Sequence, residues 1–495
     1  ERCILVHPML PAHLLPTVEI AGGLNTSPET VATTRSFMEQ LGKRVESKCN
    51  AAIAENADPS RTGDAIRRVV ELTGGMEWLE PGQTVLIKPS LNSAGQFPFT
   101  ASPISCSELV RMCLERGAAK VYVADEMGFE HTMTKHWKTG KFAGFDKDHT
   151  IKSFKKTGIY ETVRNIGDEL DARDRIHITT FREEGWRRHE FTVRADESSP
   201  NGSTLYNKWV RWQLKEADKF AGGKARRRYM PRLFDQKFKK STPGFYVPNL
   251  LDKVDHIINV FRLSAHVWSH YTMAIKNWVG IMRPDDRVWM HQLNYLKNKR
   301  HIKNGLHEDD PIRSEPLYHE QLADLHLPHI EKERLCVADA SQIILTGGPD
   351  DTDRPFCQAN LVLAARDIIA ADVVGLAILR YGMLKASDGL HGRYEPQPSG
   401  WLDALGGVIK DLRWPEGKQV FRGTDAKLCD PEFSNWDWVA IQRARELRLG
   451  VMHPDDLQIV FDEKGSPFAV SSVKRDWITK DALRPPKCRL NLPEL

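Results

Sequence analysis

The sequence has 495 residues, of which 41% are hydrophobic and 27% are charged, as is ordinary for a globular protein with a large core. Its net charge of +4, from 70 basic and 66 acidic residues, indicates no particular partner. No nucleic-acid-binding module is recognisable, so we expect no nucleic acid partner. The most apolar segment, 359–379, contains charged residues, which favours a buried element over a transmembrane span.

The 8 cysteines form no Cys-x-x-Cys pair, which argues against an iron–sulfur cluster motif and against a zinc knuckle. We expect core thiols, with disulfides between distant cysteines as the alternative. The sequence begins with Glu1 instead of methionine. From this we expect a removed export signal and a periplasmic or otherwise exported protein, with a cytoplasmic location as the alternative.

A β-α-β unit is predicted in the first half of the chain. The apolar run Thr84–Lys88 predicts a buried strand, Ser102 before a proline predicts a helix start, and Val121–Ala124 predicts the next strand. The loop after the first strand could bind an anionic ligand through backbone N–H groups. Lys88 and Asn92 are therefore candidate substrate-binding residues, although Lys88 could equally be a structural ion-pair partner. No Gly-x-Gly-x-x-Gly fingerprint follows this strand.

The segment 198–244 is polar and rich in lysine and arginine. It could be a docking surface for an acidic partner or for anionic lipid. The alternative is a solvated insertion.

The stretch Asp255–His291 carries the strongest functional signal. It opens with the apolar run Ile257–Phe261, which predicts a buried strand. Polar side chains beyond the carboxyl ends of such strands form ligand sites in open α/β sheets. The candidates are the polar residues that follow this strand: His266, His270, Lys276, Asn277 and His291.

These candidates have more than one interpretation. His266, Lys276 and His291 are candidate catalytic residues, and Asn277 is a candidate substrate contact, because imidazole and ammonium groups transfer protons and bind anions. His266, His270 and His291 could instead be ligands of a divalent metal. The structural alternatives are a hydrogen-bonded scaffold histidine and a lysine whose ammonium reaches solvent.

The third and fourth strands are expected at Leu335–Asp339 and Leu361–Ala365, and Asp367 should cap the following helix. Gly347 and Gly348 lie in a turn where backbone could approach a substrate closely. The histidines before the third strand are expected at the surface unless they cluster in space: His301, His307, His319, His326 and His329.

Strands that alternate with helices predict an α/β fold, with a mostly parallel sheet flanked by helices, two lobes around a cleft, and polar insertions. The expected organisation is an N-terminal extension at 1–60, a β-α-β lobe at 61–197, the basic insertion at 198–244, a second α/β lobe at 245–460 and a C-terminal tail at 461–495.

Several blocks of the sequence resemble the family called domain of unknown function 362 (DUF 362): Val85–Asn92, Gly117–Glu126, Val254–Gly280, Val337–Pro349 and Leu363–Leu379. His266, Lys276 and Asn277 match the family pattern. Arg262 replaces one family lysine, and another family lysine is absent. The resemblance implies an α/β fold and a shared pocket but no assigned activity. The iron–sulfur segment of some members is missing.

The order His266, Lys276, His291 is also similar to that in nickel-pincer lactate racemases. In that family the lysine helps hold a nucleotide-derived nickel cofactor, and histidines act as metal ligand and as acid or base. The glycine-rich run before the lysine is missing here, so the resemblance implies a geometry only.

Three function classes are consistent with the sequence. The first is an enzyme that acts on a small anionic substrate, a carboxylate or phosphate, by proton or hydride transfer at a metal or cofactor site. The second is a non-catalytic subunit of an exported redox or surface assembly. The third is a metal or cofactor carrier. The expected partners are accordingly a small anionic ligand or other protein subunits.

Overall fold

The computed structural model describes residues 50–91, 95–127, 146, 148–190, 244–266, 269–283, 319, 322–345, 356–386 and 427–487, together with the backbone of five short strands outside these ranges. The strands are β1 Ile4–Pro8, β2 Thr17–Gly22, β3 Arg44–Ser47, β4 Ala51–Glu55, β5 Thr84–Pro89, β6 Lys120–Asp125, β7 Met133–Lys135, β8 Phe142–Phe145, β9 Ile176–Thr180, β10 Trp186–Glu190, β11 Gly244–Pro248, β12 His256–Phe261, β13 Ser264–His266, β14 His270–Thr272, β15 Glu333–Ile344, β16 Phe356–Ala365 and β17 Ile459–Phe461.

The α-helices of the described residues are α1 Thr62–Leu72, α2 Pro103–Glu115, α3 His149–Lys156, α4 Ile159–Glu169, α5 Phe181–Glu184, α6 Leu250–Lys253, α7 Ala274–Asn277, α8 Ile368–Tyr381, α9 Val439–Glu446 and α10 Ser472–Ala482. Two short 3₁₀ helices matter for the site: Trp278–Ile281 and Ile330–Lys332. Among the described helices, none combines the length and the apolar composition needed to cross a bilayer.

A ten-stranded mixed sheet organises the fold, with the strand order β17-β4-β16-β15-β12-β5-β6-β9. Strands β15, β12, β5, β6 and β9 run parallel. Strand β16 is antiparallel to both β15 and β4, and β13 extends beside the end of β15 and pairs with β14. The predicted α/β fold with a mostly parallel sheet is confirmed.

Strands from both expected lobes belong to this one sheet, because β5 pairs with β12. Strand β4, Ala51–Glu55, lies within the segment that was expected to be an extension and pairs with β16. The assignment of 61–197 and 245–460 to two lobes stays a prediction.

The local sequence signals explain where the main elements begin. Strand β12 is buried along its whole length, as its mostly apolar sequence requires for a strand that is covered on both faces. Ser102 accepts a hydrogen bond from the N–H of Ser105 at the start of α2. Asp367 accepts one from the N–H of Ala370 at the start of α8, at 2.8 Å. Both predicted N-caps are therefore confirmed.

The sheet separates two layers of the core. Val85, Ile87 and Ile258 lie on the face that packs against α1, α2 and α4. Ile257 and Phe261 lie on the opposite face, against α7 and the almost completely buried α8. The buried thiols agree with the expectation of core cysteines: Cys106, Cys113, Cys336 and Cys357.

Candidate functional site

An ion pair joins the carboxyl ends of β5 and β6. The Nζ of Lys88 lies 2.9 Å from Oδ1 of Asp125, and both side chains are at most 2% exposed. The N–H of Leu91 donates to the other carboxylate oxygen at 2.8 Å. Gly280 packs directly over the pair, and a Cβ at this position would collide with both charged groups. This glycine therefore lets the 3₁₀ helix approach the ion pair closely.

A chain of amide groups runs from this ion pair along one face of the sheet. Lys88 donates to Oδ1 of Asn277 at 3.0 Å, and Nδ2 of Asn277 donates to Oδ1 of Asn259 at 2.7 Å. Nδ2 of Asn259 then donates to Oε1 of Glu333 at 2.8 Å. All four side chains are buried. Because an ammonium begins the chain and a carboxylate ends it, every hydrogen bond points in the same direction.

The hairpin of β13 and β14 brings two predicted site residues together, since His266 and His270 are direct cross-strand partners. The N–H of Ser269 donates to Nδ1 of His266 at 3.3 Å. In its neutral form His266 therefore carries its proton on Nε2, which makes that nitrogen a donor. His270 has a φ of +66°, an uncommon backbone conformation for a residue other than glycine.

His270 belongs to a buried aromatic cluster. Its ring stacks on His319 with centroids 4.7 Å apart and lies 4.9 Å from the ring of Trp438. Neither ring nitrogen of His270 has a hydrogen-bond partner among the described residues. Burial lowers the pKa of His270 well below its usual range, and the nearby His319 and Lys427 lower it further. Burial and the charge of Lys276 lower the pKa of His319 to about 3.

Asp372 on α8 positions the short helix α7 that carries Lys276 and Asn277. Its Oδ1 accepts a hydrogen bond from the N–H of Ile275 at 3.1 Å. Burial raises the pKa of Asp372 well above its usual range, and the backbone N–H groups of α7 only partly oppose that shift. The carboxyl group of a core helix therefore holds the first turn of α7 in place.

A second cluster lies around Glu333 at the far end of the amide chain. His326 Nδ1 and His329 Nε2 lie 3.2 and 3.5 Å from Oε2 of Glu333, and the three side chains could hold a metal ion. Trp278 Nε1 donates to Oε1 of Glu333 at 3.1 Å. Burial raises the pKa of Glu333, but the two histidines outweigh it and hold the pKa below its ordinary value.

The structure brings some of the sequence-predicted residues together and leaves others undescribed. Lys88 and Asn277 are hydrogen-bonded to each other, and the charge of Lys276 acts on His319, which stacks on His270. Several predicted residues and the basic insertion lie outside the described residues: Asn92, His291, Gly347, Gly348 and most of 198–244. The metal set of His266, His270 and His291 therefore stays a prediction.

Three of the histidines meet the exception of a spatial cluster and are buried instead of exposed, because His319, His326 and His329 are at most 3% exposed and pack against other histidines. Asp125, Asn259 and Glu333 were missed as site residues. The signal for Asn259 is a polar residue inside the apolar run of β12, since an amide in such a strand must find buried partners.

Comparison with known proteins identifies the family. The family described as "Domain of unknown function (DUF362)" matches residues 85–195 and 216–377, which is more than half of the chain. The chain is a DUF362 protein. The resemblance inferred from the sequence blocks is confirmed, whereas the fainter similarity to lactate racemases stays a prediction.

The N-terminal segment of this DUF362 protein has a separate similarity. Residues 1–47 match the family described as "3-hydroxyacyl-CoA dehydrogenase, NAD binding domain". L-carnitine dehydrogenases from Pseudomonas putida and Burkholderia mallei are each 48% identical over 44 residues, which is 9% of this chain and 14% of theirs. The one from Bacillus cereus is 44% identical over 41 residues, 8% of this chain and 13% of its own.

The DUF362 protein thus spans about one seventh of the length of the curated relatives that it matches. No solved structure gives a significant match to it.

Proposed function

We propose that this DUF362 protein is an enzyme that binds a small carboxylate or phosphate and acts on it by proton or hydride transfer. The observation that carries the proposal is His270. Its imidazole is 4% exposed, and neither ring nitrogen has a hydrogen-bond partner among the described residues. Buried polar groups without partners are rare, and each calls for an explanation such as a bound ligand or a catalytic role.

The charges near His270 support an anionic ligand. The charged groups that act on the His270–His319 pair are Lys276 and Lys427, which are both cations. A cationic environment disfavours protonated imidazoles and favours a bound anion. The positive φ of His270 is consistent with a functional constraint on this residue, because such conformations persist where the surrounding structure enforces them.

The proposed chemistry divides the roles among neighbouring side chains. Lys276 attracts the anionic group of the substrate. The charge of the bound anion raises the proton affinity of His270, which then accepts a proton from the carbon next to the carboxylate. His266 donates from Nε2 to a substrate oxygen. For hydride transfer, the same side chains would orient the substrate, and a bound cofactor would supply the hydride acceptor.

The proposal is tested by measuring binding and proton exchange with the full chain. Titration calorimetry compares lactate and inorganic phosphate with lactamide, which has nearly the shape of lactate but no charge. We expect lactate or phosphate to bind, and lactamide to bind at least about tenfold more weakly. Incubation with lactate in D₂O, followed by proton NMR, reports exchange at the carbon next to the carboxylate. Proton transfer predicts deuterium at this carbon, whereas direct hydride transfer does not.

The variants are His270→Gln and Lys276→Met, with His256→Gln as the matched control. His256 is also buried, but its Nε2 is already hydrogen-bonded to Gln83 at 2.8 Å. We expect Lys276→Met to weaken anion binding about tenfold or more and His270→Gln to abolish exchange.

An enzyme role at this cluster is rejected if charged and uncharged ligands bind equally and the control and test variants behave alike. Stoichiometric partner subunits in native mass spectra of the purified protein would then favour a non-catalytic subunit.

A further inference from the structure

We infer that His326, His329 and Glu333 form a binding site for a divalent transition metal, separate from the His270 cluster. The ligand atoms are Nδ1 of His326, Nε2 of His329 and Oε2 of Glu333, and all of them lie within 4.8 Å of one another. The three residues are at most 8% exposed. The inference goes beyond the proposed function and does not depend on it.

Hydrogen bonds already orient two of the three ligands. Nε2 of His326 lies 3.0 Å from the carbonyl oxygen of Ile275. A carbonyl only accepts, so this nitrogen carries a proton and Nδ1 is left for the metal. Metal-binding histidines characteristically donate their second N–H to such a group.

Glu333 is oriented in the same way. Its Oε1 accepts hydrogen bonds from Asn259 at 2.8 Å and from Trp278 at 3.1 Å. Oε2 therefore faces the two imidazoles and is the carboxylate oxygen left to bind a metal. A carboxylate whose second oxygen is hydrogen-bonded keeps one orientation, which is what a metal site with few ligands requires.

His329 distinguishes a metal site from a hydrogen-bonded core cluster. It is 2% exposed and its ring lies 3.6 Å from that of Trp278 by centroid. Neither of its nitrogens has a hydrogen bond among the described residues, and Nε2 lies 3.5 Å from Glu333. Among the described residues its one polar contact is this long approach to Glu333, and a metal between Nε2 and Oε2 would bind both atoms at ordinary coordination distances.

The donor set defines the class of metal. Two imidazoles and one carboxylate suit zinc and ferrous iron, whereas calcium and magnesium prefer sites made of oxygen ligands. The spacing is local, because His326, His329 and Glu333 lie within eight residues that form a turn, the 3₁₀ helix Ile330–Lys332 and the start of β15.

The experiment uses Zn²⁺ alone with the full chain, after chelator treatment and desalting. Competition with a chromophoric chelator gives the affinity, and elemental analysis gives the stoichiometry. We expect one tightly bound zinc per chain and a higher melting temperature with zinc than without it.

Two variants and one control assign the ligands. His329→Ala removes one ligand, and Glu333→Gln removes the carboxylate charge while keeping an oxygen for Asn259 and Trp278. Each should weaken zinc binding by about 100-fold or more. His177→Ala removes a half-exposed histidine next to Glu184, and it should leave the affinity unchanged.

X-ray absorption of the zinc-loaded wild type keeps the test independent of whether the variants fold. The site is supported if the spectrum shows two imidazole nitrogens and an oxygen at about 2.0–2.2 Å from the zinc, and no sulfur at about 2.3 Å. The inference is overturned if the folded wild type binds no stoichiometric zinc, if imidazole scattering is missing, or if folded variants bind as tightly as the control. Anion binding at the His270 cluster is measured without added metal, so the two proposals can fail separately.

Discussion

The buried pair of Lys88 and Asp125 offers the sharpest prediction for stability, through the substitution Lys88→Met. Methionine has a similar length but no charge, so the variant leaves the carboxylate without its cation and Oδ1 of Asn277 without its donor. At 2.9 Å the attraction between two charges is about 6 kcal/mol with an effective dielectric constant of about 20. Removing one partner of a buried pair usually costs about 3–5 kcal/mol.

We therefore expect Lys88→Met to lower the free energy of unfolding by about 3–5 kcal/mol at pH 7.

Urea unfolding followed by tryptophan fluorescence at pH 7 measures this loss. The matched control is Lys152→Met, because Lys152 and Asp146 form an ion pair of nearly the same length, 3.0 Å, with the lysine side chain 63% exposed. An exposed pair contributes at most about 1 kcal/mol. A loss for Lys88→Met no larger than that of the control would refute the reasoning.

Two further predictions concern packing and pH. Gly280→Ala should lower the free energy of unfolding by about 1–3 kcal/mol, because the added methyl group collides with the ion pair below it; an unchanged urea midpoint would contradict the close approach. Burial raises the pKa of Asp462, but its hydrogen bonds with Arg68 outweigh this and hold the pKa below the ordinary value. The stability that this pair contributes is present above the unfolded pKa of about 3.9 and is lost as the pH falls through the lower folded value. The difference in unfolding free energy between wild type and Asp462→Asn should therefore shrink below pH 4. A difference that stays constant over a pH series would contradict a stabilising interaction between Asp462 and Arg68.

The sequence predicted the central strands well because these strands are covered on both faces. Strands β5 and β12 are mostly apolar, which leaves little ambiguity. Strand β4, Ala51–Glu55, was missed because three of its five residues are alanine, which has little intrinsic preference for strands. The antiparallel pairing of β15 with β16 follows from the connection between them, 345–355, which is too short for a parallel crossover.

The candidate site was predictable only in part, because its contacts join distant parts of the chain. Lys88 and Asn277 were expected at the site, and they are bonded across 189 positions. Glu333 could not be placed by sequence, because its partners Asn259 and Trp278 depend on how β15 lies beside β12. His326 was expected at the surface because it lies in a stretch, 292–328, that is rich in histidine and charge, yet the turn that carries it packs beneath α7.

The amide chain between Lys88 and Glu333 limits which substitutions this protein tolerates. An amide side chain offers two different ends, and in this row each Asn can be oriented in only one way. Replacing Asn259 or Asn277 with aspartate would place two hydrogen-bond acceptors next to each other. Replacing either with an aliphatic residue would leave the buried groups on both sides without hydrogen-bond partners. The four side chains therefore depend on one another, so that a substitution at one of them is tolerated only if its hydrogen-bond partners change with it.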